Sequence, residues 1–193
     1  AMRTPWIRGG TPKMMDHAKS IGITLFSSVF SLDGVDFLES LGCPAYKIAA
    51  NEYNWTPLLD KAAGTGKPVM VSLPKMVATR MIPLYNVPGY PLALDDANMG
   101  GFAGCEGIYG LSSHLMDSRG MVMAVALGCS IIEAHIMLDG RLGGPDVSFS
   151  WEPNRFRDMV DDCHAAWRAM RPQNLKLPGY RRGESGLRET WSA

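Results

Sequence analysis

The feature that most constrains the fold is a pattern that recurs along most of the sequence. A short β-type run ends in a polar residue, and a helix-like segment follows it. Strands that alternate with helices are typical of α/β proteins with a parallel sheet, and we predict this fold class. The runs are Ile23–Ser28, Ala45–Ala50, Pro68–Ser72, Met81–Tyr85, Ile108–Ser112 and Ser130–His135.

The segments between and after the runs carry helix signals. Thr56 and Pro57 open Leu58–Ala63, and a glycine follows, which is start and stop chemistry for a helix. Another helix fits Asp117–Leu127. The last helix is the clearest, because Pro153 suits its first turn and apolar residues form one stripe. That stripe consists of Phe156, Met159, Val160, Cys163, Trp167 and Met170.

The spacing of the runs predicts an incomplete barrel. The connection between the third run and the fourth is at most the nine residues Leu73–Met81. A parallel crossover with its helix needs at least about 10–12 residues, so one crossover helix is expected to be missing. Six runs are also fewer than the eight strands of a closed (β/α)₈ barrel. We therefore predict an incomplete TIM (β/α)₈ barrel with one crossover helix deleted.

Composition excludes several classes of protein. The 193 residues carry 19 Lys and Arg against 19 Asp and Glu, so no electrostatic footprint for nucleic acid or an anionic membrane is present. The longest apolar run, Met121–Ile132, is too short to span a bilayer. No secretion signal is visible at the amino terminus. The four cysteines form no C-x-x-C pair and fit reduced thiols, so we expect a cytoplasmic protein.

Side chains suited to an anion and a metal ion follow the predicted strands. Sites in parallel β/α folds lie at the carboxyl ends of strands and in the loops that follow. Hydroxyls, one lysine and two imidazoles at one rim suit an anionic, oxygen-rich ligand and a divalent metal. These rim residues are Ser27, Ser28, Lys47, Glu52, Ser72, Tyr85, Asn86, Tyr90, Ser112, His114 and His135.

Lys47 is the candidate anion-binding residue. Strand alternation directs Ala45, Lys47 and Ala49 to the same side, where the small neighbours leave room beside the lysine. A lysine inside a sheet needs a counter-charge, and a phosphate or carboxylate ligand would supply one. The alternative is a lysine that reaches solvent or pairs with Glu52.

His114 and His135 are the candidate metal ligands. They end neighbouring β-runs, and if these strands pair at a spacing of about 4.8 Å, both imidazoles can reach one ion. The alternative is a structural role, since histidine ligands usually come with a third carboxylate or thiolate. The glycine-rich segment Leu138–Asp146 follows the last run and brings Asp146 near the rim, where a carboxylate could accept hydrogen bonds from sugar hydroxyls.

Several segments, taken in order, resemble the N-acetylneuraminate (sialic acid) synthase family, enzymes that condense phosphoenolpyruvate with an N-acetylated sugar. The similarity covers roughly residues 20–76 and 105–170, and it rests on the order and spacing of the segments. The matching segments are Phe26–Ser28, Val35–Gly42, Pro44–Ala49, Thr65–Val69, Gly110–His114, Ala124–Gly128, Glu133–His135, Gly144–Asp146 and Phe149–Ser150.

The resemblance implies a nonulosonic acid synthase on a TIM barrel, with about strands three to eight present. The implied substrates are phosphoenolpyruvate and an N-acetylated sugar such as N-acetylmannosamine, and the implied cofactor is a divalent ion, Mn²⁺ or else Mg²⁺ or Co²⁺. The implied roles are metal binding for His114 and His135, phosphoenolpyruvate binding for Lys47, Ser28, Ser72 and Ser112, catalysis for Glu52 and Lys47, and sugar contact for Tyr90 and Asp146.

Departures from the family pattern support a second interpretation. A serine expected near the phosphate is Ala50, and the acidic residue expected before the first metal histidine is Ser113. The family's first two strands have no counterpart before Ala1. The alternative function is therefore a truncated, non-catalytic barrel remnant that acts at most as a metal or sugar-phosphate binding module or an assembly module.

The domain organisation and the sheet edges lead to two further expectations. A barrel domain over residues 1–172 is followed by an Arg/Gly/Pro-rich tail over 173–193, in place of the family's C-terminal antifreeze-like domain. An unclosed sheet would leave Ile23–Ser28 and Ser130–His135 as exposed edge strands, so we expect a homodimer or other self-association.

Overall fold

Seven parallel strands pair in the order of the sequence in a computed structural model, which describes residues 5–77, 79–102 and 109–170. The sheet curves into a half-barrel, and the prediction of an incomplete α/β barrel is confirmed. The strands are β1 (Ser27–Ser28), β2 (Tyr46–Ile48), β3 (Val69–Leu73), β4 (Ile82–Tyr85), β5 (Gly110–Ser113), β6 (Ile131–Ile136) and β7 (Ser150–Trp151).

Helices follow the strands much as the helix signals indicate. Ser31 caps α2 by accepting a hydrogen bond from the Gly34 backbone amide at 3.2 Å, and Asp117 caps α4 through the Arg119 amide at 3.0 Å. The first helix of the chain, α1, was not predicted from the sequence. The helices are α1 (Pro5–Ser20), α2 (Leu32–Ser40), α3 (Thr56–Ala63), α4 (Ser118–Ala126) and α5 (Pro153–Met170).

The connection between β3 and β4 lacks a crossover helix. The two strands are in register from Met70 opposite Ile82 to Leu73 opposite Tyr85. The residues between them, apart from Ala78 which lies outside the described ranges, contain no helix. The predicted deletion is confirmed, and a groove of about 360 Å³ lies on the outer side of β3, where Val71 and Leu73 line it.

The two ends of the sheet differ in part from the predicted edges. β1 is one end, although it spans only Ser27–Ser28 and Ile23 lies outside it. The other end is β7, so the prediction of Ser130–His135 as an edge was wrong. His135 pairs with Ser150 on the next strand, which has only two residues and leaves too short a pattern to recognise.

The hydrophobic core lies between the outer side of the sheet and the helices. In the first half, Tyr46 and Ile48 of β2 pack with Leu38 of α2 and Leu58 of α3. In the second half, apolar residues of α4 and α5 pack against Trp151, whose indole nitrogen donates a hydrogen bond to the Leu115 carbonyl at 3.0 Å. The helices therefore cover one side of the sheet and leave the opposite side, called the inner face below, for other chemistry.

Three further predictions concern the cysteines, the C-terminal tail and membrane-spanning helices. Cys43, Cys129 and Cys163 are buried free thiols, whereas Cys105 lies outside the described residues. The predicted tail over 173–193 also lies outside them. Among the described helices, none has the length and apolar character that crossing a membrane requires.

Candidate active site

Strand alternation gathers polar side chains on the inner face. Residues that alternate with the core-facing ones point away from the helices, and strand register then decides which of them are neighbours. Ser28 lies opposite Lys47, and Ser112 lies opposite Glu133. The polar residues of this face are Lys47, Ser72, Asn86, Ser112 and Glu133, with His114 and His135 two residues beyond the last two.

Lys47 is a buried cation surrounded by oxygen atoms. Its side-chain nitrogen donates to the Ser72 hydroxyl at 2.7 Å and to the Ile48 carbonyl at 3.0 Å, and it lies 3.5 Å from the Glu133 carboxylate. Burial lowers the pKa of Lys47, and the nearby carboxylates of Glu133 and Glu52 oppose that shift. The lysine is only 6% exposed, so it does not reach solvent, and its ion-pair partner is Glu133 rather than Glu52.

Glu52 lies in the loop after β2, as predicted. One of its carboxylate oxygens is buried and has no hydrogen-bond partner. Its charge raises the pKa of Lys47, but this effect is smaller than those of Glu133. One oxygen of the Glu52 carboxylate is therefore free of competing hydrogen bonds.

The two histidines of the predicted metal site come together. Ser113 of β5 is in register with Ala134 of β6, so the next residues, His114 and His135, are neighbours, and their ring centroids are 5.2 Å apart. Burial, followed by the proximity of His135, lowers the pKa of His114 to about 4. Its imidazole is therefore neutral at neutral pH, which is the form that binds a metal ion.

Aromatic and acidic groups surround the imidazole pair. The Tyr90 ring centroid lies 4.2 Å from that of His114, and Phe149 presents its ring nearly perpendicular to both imidazoles. The Asp146 carboxylate lies 3.6 Å from Nδ1 of His135. Tyr90 and Asp146, the two predicted sugar contacts, thus lie at the same rim as the histidines, and their roles stay predictions.

The residues of the rim fit part of the ligand set of a divalent ion. Two adjacent imidazoles supply nitrogen ligands for a divalent first-row metal ion, and Mn²⁺ would need oxygen ligands from other groups, water or substrate in addition. Within the described ranges, no group of three or more His, Cys, Asp and Glu side chains is arranged to hold an ion. His114 and His135 are therefore the residues that would hold it.

Three residues of the site had no individual role predicted from the sequence, although Asn86 was expected at the rim. Glu133 pairs with Lys47, Phe149 packs on the histidines, and the Asn86 side-chain amide donates to the Ser112 carbonyl at 2.9 Å. Glu133 had a usable signal, because it stands two residues before His135 and alternation puts both on one face. Asn86 and Phe149 are positioned by contacts between distant segments, for which the sequence has no local pattern.

Comparison with known proteins decides the family. The model of the NeuB family matches residues 8–78 and 73–174. The chain belongs to the NeuB family. The two matched segments meet at the β3–β4 connection, where the crossover helix is missing. The resemblance to the N-acetylneuraminate synthase family stated from the sequence is thereby confirmed.

Several curated relatives of this NeuB family chain are named as synthases of sialic-acid type. It is 35% identical over 170 residues to pseudaminic acid synthase of Helicobacter pylori, with 77% of this chain and 49% of the relative covered. It is 28% identical over 186 residues to mouse N-acetylneuraminate-9-phosphate synthase, with 86% and 52% covered. The chain thus spans about half the length of the curated relatives it matches.

A solved structure with the same fold is the N-acetylneuraminic acid (sialic acid) synthetase of Leptospira borgpetersenii in complex with citrate. The TM-score is 0.78 at 24% sequence identity, and the match covers 86% of this chain and 67% of that one. At this identity the likeness concerns the fold, and it agrees with the half-barrel of parallel strands.

Proposed function

We propose that this NeuB family chain carries the active-site portion of a nonulosonic acid synthase. The proposed reaction joins phosphoenolpyruvate, an N-acetylated sugar and water to give a nonulosonic acid and phosphate. Carbon 3 of phosphoenolpyruvate forms a bond to the aldehyde carbon of the open-chain sugar, carbon 2 takes up water, and the bond that holds the phosphate breaks. N-acetylmannosamine or a related sugar is the proposed acceptor.

One observation carries this proposal: a buried cation lies on the same face as a pair of adjacent imidazoles. Lys47 is held among oxygen atoms, and His114 and His135 stand two residues beyond Ser112 and Glu133 on the adjoining strands. Condensation of phosphoenolpyruvate with a carbonyl compound needs both features. The anion needs a positive counter-charge, and the carbonyl oxygen that gains negative charge needs an electrophile.

The anion would bind beside Lys47. The ammonium group already donates to Ser72, and Ser28 lies opposite Lys47 in the sheet register. Ser112 is buried on the same face. In our proposal these hydroxyls donate to the phosphate or carboxylate oxygens of phosphoenolpyruvate while Lys47 balances their charge.

Carboxylates near Lys47 would serve the later part of the reaction. Glu52 has a buried oxygen without a hydrogen-bond partner. As carbon 2 gains positive character, the Glu52 carboxylate would stabilise that charge or accept a proton from the attacking water. A bound divalent ion would supply Lewis-acid chemistry at the sugar carbonyl, and His114 and His135 would hold it.

The sugar would bind at the outer rim. Tyr90 and Asp146 are exposed beside the histidines, so their hydroxyl and carboxylate groups are available to a polyhydroxylated ligand. The proposed panel of acceptors begins with N-acetylmannosamine, which the resemblance implies. It adds the sugar precursors of the products that the relatives' names give, which are pseudaminic acid, N-acetylneuraminate 9-phosphate and N,N'-diacetyllegionaminic acid.

A second candidate function is a non-catalytic module that binds a metal ion or a sugar phosphate. Two observations favour this function. The crossover helix between β3 and β4 is missing, and in the part of the chain that the structure describes the candidate metal site has only two imidazoles as ligands. Such a module would keep the anion site around Lys47 and lack turnover.

The two candidates are separated by measuring phosphate release from phosphoenolpyruvate with each acceptor, with and without Mn²⁺. We expect Mn²⁺-dependent release that is lost in a His114→Ala, His135→Ala double variant. The matched control is His17→Ala with His164→Ala, which removes two exposed imidazoles and should leave the rate unchanged. Absence of release from a chain that circular dichroism shows to be folded would contradict the synthase and favour the binding module.

We also propose that copies of the chain associate. Within the described residues, β1 and β7 each pair on one side only, and an edge strand presents unpaired backbone groups to other chains. Light scattering should therefore give a mass of at least twice 21.1 kDa. A monodisperse monomer at micromolar concentration would contradict this proposal.

A further inference from the structure

One buried aromatic side chain contacts both imidazoles of the candidate metal site. The Phe149 ring centroid lies 5.2 Å from that of His114 and 4.9 Å from that of His135. The interplanar angles are 88° and 85°, so each contact is an edge-to-face arrangement. Phe149 is 6% exposed, and neither family resemblance nor local pattern assigned it a role.

The backbone around Phe149 fixes its ring relative to the strands. A short 3-10 turn, Val147–Phe149, begins after Asp146, and the Phe149 amide donates to the Asp146 carbonyl at 3.2 Å. The Ser150 hydroxyl donates to the same carbonyl at 2.8 Å. Ser150 then pairs with His135 in the sheet, so the phenyl ring is anchored one residue before the strand that adjoins His135.

Polar groups support the two imidazoles unequally. Nδ1 of His135 has the Asp146 carboxylate at 3.6 Å, whereas Nδ1 of His114 is buried and has no hydrogen-bond partner. A metal-binding histidine is normally oriented by a hydrogen bond from its other nitrogen. His114 has no such hydrogen bond at Nδ1, so the rings packed against it contribute to its orientation. Tyr90 is 58% exposed, which leaves Phe149 as the buried and more firmly held of the two.

We propose that Phe149 is a positioning residue that sets the orientation of both imidazoles. It would act through His114 and His135 and would not touch substrate. For His114, ring packing by Phe149 replaces the hydrogen bond that the histidine lacks. The effect on metal affinity rests on the proposed function, since it needs His114 and His135 to bind an ion, whereas the effect on ring orientation does not.

The test compares Phe149→Leu, which removes the ring, with Phe149→Tyr, which keeps it. The matched control is Phe156→Leu, which removes a half-buried ring on α5 that packs in the outer core. Should Phe149→Leu fail to fold, Phe149→Met serves in its place, because its flexible, unbranched side chain adapts to the space that the ring leaves. The first measurement is the nuclear Overhauser cross-peak between the His114 and His135 rings in the metal-free chain. The second is Mn²⁺ affinity, from the electron paramagnetic resonance signal of the free ion.

We expect Phe149→Leu to weaken the cross-peak and to lower Mn²⁺ affinity at least about tenfold, the usual effect of losing support behind a metal ligand. Phe149→Tyr and Phe156→Leu should resemble the parent chain in both measurements. An unchanged cross-peak in Phe149→Leu, or an Mn²⁺ affinity within about twofold of the parent, would overturn the inference. If the parent chain binds no Mn²⁺, the proposed metal site fails, and the cross-peak alone still decides the role of Phe149.

Discussion

Lys47 on β2 and His114 after β5 are both buried on the inner face, but their surroundings differ. The Lys47 ammonium has three oxygen neighbours, on Ser72, Ile48 and Glu133. Nδ1 of His114 has no hydrogen-bond partner. A buried charge without partners costs several kcal/mol, whereas a neutral imidazole nitrogen costs far less. Folding must therefore supply partners for the Lys47 ammonium group, whereas it can leave Nδ1 of His114 without one.

Lys47 and His114 thus mark two parts of the candidate active site. The first half of the sheet offers a cation that is already in position for an anion. The second half offers two adjacent imidazoles, with the ring of Phe149 packed against both. The Lys47–Glu133 pair at 3.5 Å joins the halves across the inner face. We therefore expect changes in the first half to alter anion binding and changes in the second half to alter metal binding and acid stability.

The largest effect is expected from Lys47→Met, which removes the buried cation. Affinity for phosphoenolpyruvate, measured by calorimetry, should fall about a hundredfold, because a hydrogen bond to a charged group is worth about 1.5–3 kcal/mol. The matched control is Lys61→Met, since Lys61 pairs with Asp36 at 2.6 Å on the helical side of the sheet. A loss of phosphoenolpyruvate affinity of similar size in both variants would contradict an anion site at Lys47.

A somewhat smaller effect is expected from Gly110→Ala, at the first residue of β5, the strand that leads to His114. A Cβ at this position would lie 2.4 Å from Leu84 Cδ2 and 2.7 Å from the Ile131 carbonyl oxygen. Because the backbone oxygen cannot move aside easily, we expect a destabilisation of about 2 kcal/mol in urea unfolding. Gly100→Ala meets nothing closer than 4.0 Å and should stay within about 0.5 kcal/mol of the parent. Equal stability of the two variants would show that the inner face is loosely packed.

The smallest of the three effects concerns acid stability of the metal-free chain. The folded pKa of His114 is about 4, below its ordinary value of 6.5, so between these values the unfolded chain binds a proton that the folded chain does not. The stability contributed by the neutral ring is complete above pH 6.5 and is lost as the pH falls toward 4. We expect a loss of about 1–2 kcal/mol, allowing for partial solvent screening.

Urea unfolding at pH 7 and pH 4.5, in the presence of a chelator, measures this loss. In His114→Leu the difference between the two pH values should shrink by the same amount, because the titrating ring is gone. The parent and the variant share all other acidic groups, so the subtraction isolates His114. If the difference in unfolding free energy between pH 7 and pH 4.5 is the same in the variant as in the parent, burial does not hold the His114 imidazole in its neutral form.

Local patterns predicted most of the fold and part of the site. Alternation within a strand is local, and it predicted that Lys47 points into the sheet's interior. Ser72 and Ser112 were expected at the same rim because each ends a predicted strand. Neighbouring runs ending in His114 and His135 predicted the imidazole pair, which the structure brings together. The missing crossover helix was predicted from the small number of residues between the third run and the fourth.

The remainder depends on interactions that no local pattern encodes. The pairing of Lys47 with Glu133 depends on the curvature of a sheet in which β2 and β6 are not adjacent. α1 was missed because glycines and Pro12 interrupt it, and these residues ordinarily break helices. β7 was missed because two residues are too few to show alternation.

The most direct test of the central claim is the relaxation of the phosphorus nucleus of phosphoenolpyruvate by Mn²⁺ in the presence of the chain. If the inner face holds the anion at Lys47 and the ion at His114 and His135, the relaxation rate should rise well above that of Mn²⁺ and phosphoenolpyruvate alone. Lys47→Met and the His114→Ala, His135→Ala double variant should each abolish that increase. A rate equal to the protein-free mixture, or one unchanged in both variants, would contradict a shared site on the inner face.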